Sequence, residues 1–81
     1  MITCIAVDDE PLALQIIHQY CEKIPFLQLE KLFTNPDEAK AYLSAHKIDL
    51  VFLDIQMPDI NGVQFYKSLS NKPAVIFTTA F

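Results

Sequence analysis

Three carboxylates at two places in the chain could do chemistry together. Asp8 and Asp9 follow an apolar run that ends at Val7, and Asp54 follows the run Leu50 to Leu53. Ligands of open parallel α/β sheets gather beyond the carboxyl ends of the strands, so acids at both addresses would converge if those strands are neighbours. Three carboxylates in one pocket repel one another, and without a counter-charge at least one should hold its proton to higher pH. A hard divalent cation relieves that repulsion. Magnesium suits it, because it takes oxygen ligands, keeps several waters and typically pairs one or two carboxylates with a phosphate. A carboxylate so placed can attack phosphorus and form an acyl phosphate, and a hydroxyl at the end of a neighbouring strand, Thr78 or Thr79, could hydrogen-bond the product. Each residue alone has a plainer explanation. Acids after strands often cap helices or sit in solvated turns, as Asp59 is expected to do, and threonines are ordinary strand residues.

The elements that must position these groups alternate along the chain. Met1 to Val7 is apolar apart from Thr3 and rich in β-branched residues, which predicts a buried strand. Pro11 opens a helix whose apolar positions Ala13, Ile16, Ile17, Tyr20 and Ile24 share one face. After Pro25, Leu27 to Phe33 alternates imperfectly and predicts a second strand. Asn35-Pro36-Asp37-Glu38 is a strong helix start, with a capping amide, a first-turn proline and two acids. That helix should turn Ala39, Tyr42 and Leu43 inward. The third strand, Leu50 to Leu53, has the continuous apolar character of one buried on both faces. Met57-Pro58 and Asn61-Gly62 then force a turn, a short helix follows with Val63, Tyr66 and Leu69 as its core stripe, and Ala74 to Phe81 is strand-like again. Strands joined by helical crossovers can lie parallel, with right-handed crossovers placing helices on both faces. The predicted fold is therefore α/β, a doubly wound parallel sheet; an order of 2-1-3-4 puts Asp8 and Asp9 beside Asp54.

Composition narrows the function classes. A chain of 81 residues is one domain at most, and a 52% apolar share is globular and slightly rich for that length. Ten acids against six lysines and no arginine leave a net charge of −4, which argues against nucleic-acid contacts from this segment. Cys4 and Cys21 are too few for a disulfide framework and have no zinc-like spacing with His18 or His46, so both are expected to be reduced and buried. With no signal peptide and no apolar run of membrane length, the chain reads as cytoplasmic.

Three blocks carry a resemblance. Val7-Asp8-Asp9-Glu10-Pro11, Leu53-Asp54-Ile55-Gln56-Met57-Pro58 with Asn61-Gly62, and Phe77-Thr78-Thr79-Ala80 resemble, in order and spacing, the receiver domain of two-component response regulators, a flavodoxin-like fold. The Asp-Glu-Pro and Phe-Thr-Thr-Ala-Phe details are most similar to receivers preceding a LytTR-type DNA-binding domain. The resemblance implies that Asp54 is the phosphoacceptor, taking a phosphoryl group from a sensor histidine kinase. It implies magnesium at Asp9 directly, at Asp8 through water, at Asp54 and at the backbone carbonyl of Gln56. Thr79, which precedes Ala80, would be the switch hydroxyl. Gln56 and Phe81 would tune dephosphorylation, and an apolar Phe81 implies a long-lived phosphoryl state. The family's domain is about half as long again, near the usual domain size, and continues with a helix, a fifth strand and a last helix. Residues 1–81 then correspond to the N-terminal part of one receiver domain, without the family's phosphate-binding lysine. Its last strand would be an apolar edge open to self-association.

Two other functions fit the acids less well. An aspartate-nucleophile phosphohydrolase of the haloacid dehalogenase type wants a second acid two residues after the nucleophile, where this chain has Gln56. An interaction module that is never phosphorylated has no use for the complete acid trio.

Overall fold

The computed structural model describes residues 1–79. Four strands and three helices alternate: β1 (Ile2–Val7), α1 (Pro11–Glu22), β2 (Leu27–Phe33), α2 (Pro36–Ala45), β3 (Leu50–Asp54), α3 (Gly62–Lys67) and β4 (Ala74–Thr78). The strands form one parallel sheet in the order β2-β1-β3-β4, as the crossover argument requires. Ile5, Val7, Val51 and Leu53 project from one sheet face into a core closed by Phe33, Ala39, Leu43, Ile48, Met57, Phe65 and Leu69. The opposite face carries the small residues Cys4 and Ala6, both fully buried.

The imperfect alternation of β2 has a physical cause. Cys4 pairs with Leu29 but Ile5 pairs with Lys31, so Glu30 is an extra residue on the β2 side. That bulge shifts the phase of the strand. Leu27 and Leu29 before it and Leu32 after it can then serve one face, although their spacing is wrong for an unbroken strand.

Helix α2 starts as its sequence predicts. The Asn35 side-chain oxygen accepts from the backbone N–H of Asp37 at 2.8 Å and of Glu38 at 3.4 Å, and Ala39 and Leu43 are buried. Two other helices differ from expectation. In α1 the buried residues are Leu14 and Cys21, one face apart by two turns, whereas Ile16 is 51% and Tyr20 62% exposed. The predicted stripe instead lines one side of an apolar groove, with Ala13, Ile16, Ile17, Tyr20 and Ile24 facing Phe52 and Ile76 of the sheet. Helix α1 thus leans toward the β2 side, and its apolar stripe overlooks β3 and β4 from the edge of the groove. In α3 the predicted Val63 is exposed, and the core contact is made by Phe65, which is 2% exposed, with Leu69 just beyond the helix and Tyr66 half-buried. The helix is only six residues long, so its first turn sits over the strand end and one bulky ring anchors it.

Cys4 and Cys21 are free and buried, as expected. Burial is the main cause that pushes the Cys4 thiol up to about 12, so it behaves as a small apolar side chain. No helix among the described residues is long and apolar enough to cross a membrane.

Candidate functional site

Parallel pairing brings the acids together at one rim of the sheet. Val7 pairs with Leu53, so the next residues along, Asp8 just past the end of β1 and Asp54 at the last position of β3, stand side by side. Carboxylate oxygens of Asp8, Asp9 and Asp54 all lie within 4.8 Å of one another. Asp8 and Asp54 are 6% and 4% exposed, respectively, while Asp9 is half-buried.

Each buried carboxylate is held by the backbone just after it. Asp8 Oδ1 accepts from Glu10 N–H at 2.9 Å, and Asp54 Oδ1 accepts from Gln56 N–H at 3.1 Å. The Asp8 backbone is itself fixed, since its N–H donates to Phe33 O at 3.0 Å. The loop after Asp54 is closed twice: Ile55 N–H donates to Thr78 O at 3.0 Å, and Gly62 N–H donates to Ile55 O at 2.7 Å. Gln56 and Asn61 form an isolated antiparallel bridge, which folds the loop back so that α3 starts against the strand end.

The electrostatics follow from this crowding. Burial raises the Asp54 carboxyl above its ordinary value; the Gln56 N–H opposes that, and the charges of Asp8 and Asp9 push it further up. Three oxygen donors with uncompensated negative charge are the donor set a hard divalent cation takes. The Asp8, Asp9 and Asp54 cluster is thus consistent with a divalent-cation site, and the residues present fit the ion.

Of the other residues singled out in the sequence, Gln56 lies in the loop directly after Asp54, with its side chain exposed. Thr79 is exposed and just beyond β4, while Thr78 pairs directly with Asp54. Phe81 lies outside the described residues. Asp59 is exposed in the turn. His18 contacts Glu22 at 2.9 Å on the surface of α1, and His46 stacks on Tyr42 at the end of α2; neither is among the acids of the site.

Sequence reasoning gave Gly62 only the role of opening a helix, and the structure gives it a larger one. A Cβ there would lie 2.2 Å from the carbonyl oxygen of Asp54. The available signal was that this is the sole glycine in the chain, placed eight residues after the acid.

Comparison with known proteins agrees with this arrangement. The family model described as the response regulator receiver domain matches residues 4–81. The chain is 32% identical to the transcriptional regulatory protein BtsR of Escherichia coli, covering all of this chain and 35% of that protein. It is 33% identical to the sensory transduction protein LytT of Bacillus anthracis, covering all of this chain and 34% of that one. The chain therefore spans about a third of the length of these curated relatives. Among solved structures, the MaeR response regulator bound to beryllium trifluoride superposes with a TM-score of 0.89 at 32% identity, over all of this chain and 69% of that one.

Proposed function

This chain belongs to the response regulator receiver family, and from that premise we propose that Asp54 is its phosphoacceptor, taking a phosphoryl group from a sensor histidine kinase. The observation that carries the reading is the gathering of oxygens from three carboxylates within 4.8 Å of one another around a buried Asp54, whose carboxyl burial shifts above its ordinary value. Asp8 and Asp9, with Asp54 and the backbone carbonyl of Gln56, would hold Mg2+. When bound, that ion supplies charge neutralisation for the phosphoryl oxygens during transfer.

The chain's own residues do the remaining work. Asp54 presents one oxygen as nucleophile while its Oδ1 is anchored by Gln56 N–H, so attack needs no reorientation of the carboxylate. Thr79 is assigned as the switch hydroxyl that reports the phosphoryl group, and Gln56 and Phe81 as the residues that set its lifetime. A receiver domain is typically a phosphoacceptor and not an enzyme that turns over a substrate; the phosphohydrolase alternative still lacks its second acid, since Gln56 occupies that place.

The 81 residues read as the N-terminal part of one receiver domain in a cytoplasmic protein. Its output domain is assigned as a DNA-binding module of LytTR type, in line with the transcriptional and LytT names of the relatives. β4 is the outer strand of the sheet among the described residues, and its exposed Ile76 and Phe77 make it the surface through which copies of this chain would pair.

The test is chemical. Incubation with acetyl phosphate and Mg2+ should add one phosphoryl group, found by mass spectrometry of proteolytic fragments on the peptide containing Asp54 and absent from Asp54→Asn. Label on another residue, or undiminished label in Asp54→Asn, would overturn the assignment.

A further inference from the structure

Among the described residues, Thr78 Oγ1 is the one buried side-chain polar atom with no hydrogen-bond partner. An unpaired buried hydroxyl weakens the fold, so such an atom calls for an account of what it is kept for. Its position supplies one. Asp54 pairs with Thr78 in the parallel register of β3 and β4, and parallel partners point to the same face. Asp8, Asp54 and Thr78 therefore form one row across β1, β3 and β4, with adjacent strands about 4.8 Å apart.

The row has two unlike sides. On the β1 side of Asp54 lie the oxygens of Asp8 and Asp9. On the β4 side the adjacent side chain is that of Thr78, which offers a hydroxyl and no charge. The backbone of Thr78 is already fixed, because its carbonyl accepts the Ile55 N–H at 3.0 Å. Thr79, one residue on, is exposed and outside the strand.

We propose that Thr78 donates its hydroxyl hydrogen to an oxygen of the phosphoryl group carried on Asp54, on the side opposite the cation, as a phosphate-binding residue in addition to Thr79. This rests on the assignment of Asp54 as phosphoacceptor. The hydroxyl is already stripped of water before the anion arrives, so the bond forms without further desolvation of the donor.

Beryllofluoride with Mg2+ is the probe, titrated by calorimetry against the parent chain, Thr78→Val, Thr78→Ser and Asp54→Asn, with thermal melts of each in the absence of ligand. Valine keeps the shape and removes the hydroxyl. Thr78→Val should melt at a higher temperature than the parent when free, yet bind beryllofluoride about tenfold more weakly, the size expected of one hydrogen bond to a charged group. Its affinity for Mg2+ alone should not change, and Thr78→Ser should restore beryllofluoride binding. A merely structural threonine would move the melting temperature without moving that affinity. If the parent binds and Thr78→Val binds equally well, this inference falls and the assignment of Asp54 stands. If the parent takes up no beryllofluoride, or Asp54→Asn takes it up equally well, both fall together.

Discussion

Replacing Gly62 by alanine should unseat Asp54 without altering any carboxylate. The added Cβ would meet the Asp54 carbonyl oxygen at 2.2 Å, the Ile55 Cα at 2.9 Å and the Asp54 carbonyl carbon at 3.0 Å. All three are backbone atoms of the segment that carries the phosphoacceptor, so no flexible side chain can give way. Reaching even the 3.0 Å floor of real Cβ contacts needs about 0.8 Å of movement between α3 and the end of β3. That movement strains the 2.7 Å bond from Gly62 N–H to Ile55 O. Gly62 has no positive φ, so the effect is one of close approach and not of backbone conformation. Overpacking of about 1–3 kcal/mol and a weakened buried hydrogen bond of about 1 kcal/mol together suggest a loss near 3 kcal/mol. For a domain of this size that is roughly 12–24 °C in melting temperature. Circular dichroism melts of Gly62→Ala against the parent measure it directly. A variant that melts within about 2 °C of the parent, a change of under ~0.5 kcal/mol, would refute the argument that α3 is seated on the strand end for want of a side chain.

Three further outcomes are expected. Asn35→Ala removes the acceptor for Asp37 N–H and Glu38 N–H and should cost about 1 kcal/mol, read as a lower urea midpoint with unchanged slope. Asp54, whose pKa is raised first by burial, keeps its proton in the folded state at pH values where the unfolded chain has lost it. Its ionisation therefore weakens the fold as pH rises through the folded pKa, and metal-free Asp54→Asn should be more stable than the parent at pH 7, the gap closing below about pH 4. Equal stability at pH 7 would contradict this. Asp49 behaves in the opposite sense, because Thr3 N–H at 3.0 Å and the Thr3 hydroxyl at 3.1 Å lower its pKa. Its contribution is present above the unfolded value and lost as pH falls through the folded one, so Asp49→Ala should be less stable than the parent at pH 7 and converge with it in acid.

Much of this was legible in the residues. The acid pair after Val7 and the lone acid after Leu53 are where parallel pairing makes them meet, and Asn35-Pro36 caps the helix it announces. What the sequence concealed depends on which neighbour each face finds. The apolar stripe of α1 has the right period, but period does not say how far the helix leans across the sheet, and Ile16 and Tyr20 are left open to the groove. In α3, Tyr66 and Leu69 meet the core as their spacing predicts, but Val63 is exposed and Phe65 supplies the most deeply buried contact, because a helix of six residues is placed by its loops as much as by its stripe. Gly62 and Thr78 matter through contacts across the chain, and local pattern carries no record of those.

The account depends most on Asp8, Asp9 and Asp54 forming one cation site, and a magnesium titration of thermal stability tests that most directly. Binding to the folded state alone should raise stability by about 0.4 kcal/mol when Mg2+ equals its dissociation constant and by about 2.7 kcal/mol at a hundredfold excess. The expected result is a melting temperature that climbs with Mg2+ in the parent and stays flat in Asp9→Asn. A flat response in the parent, or the same climb in Asp9→Asn, would contradict it.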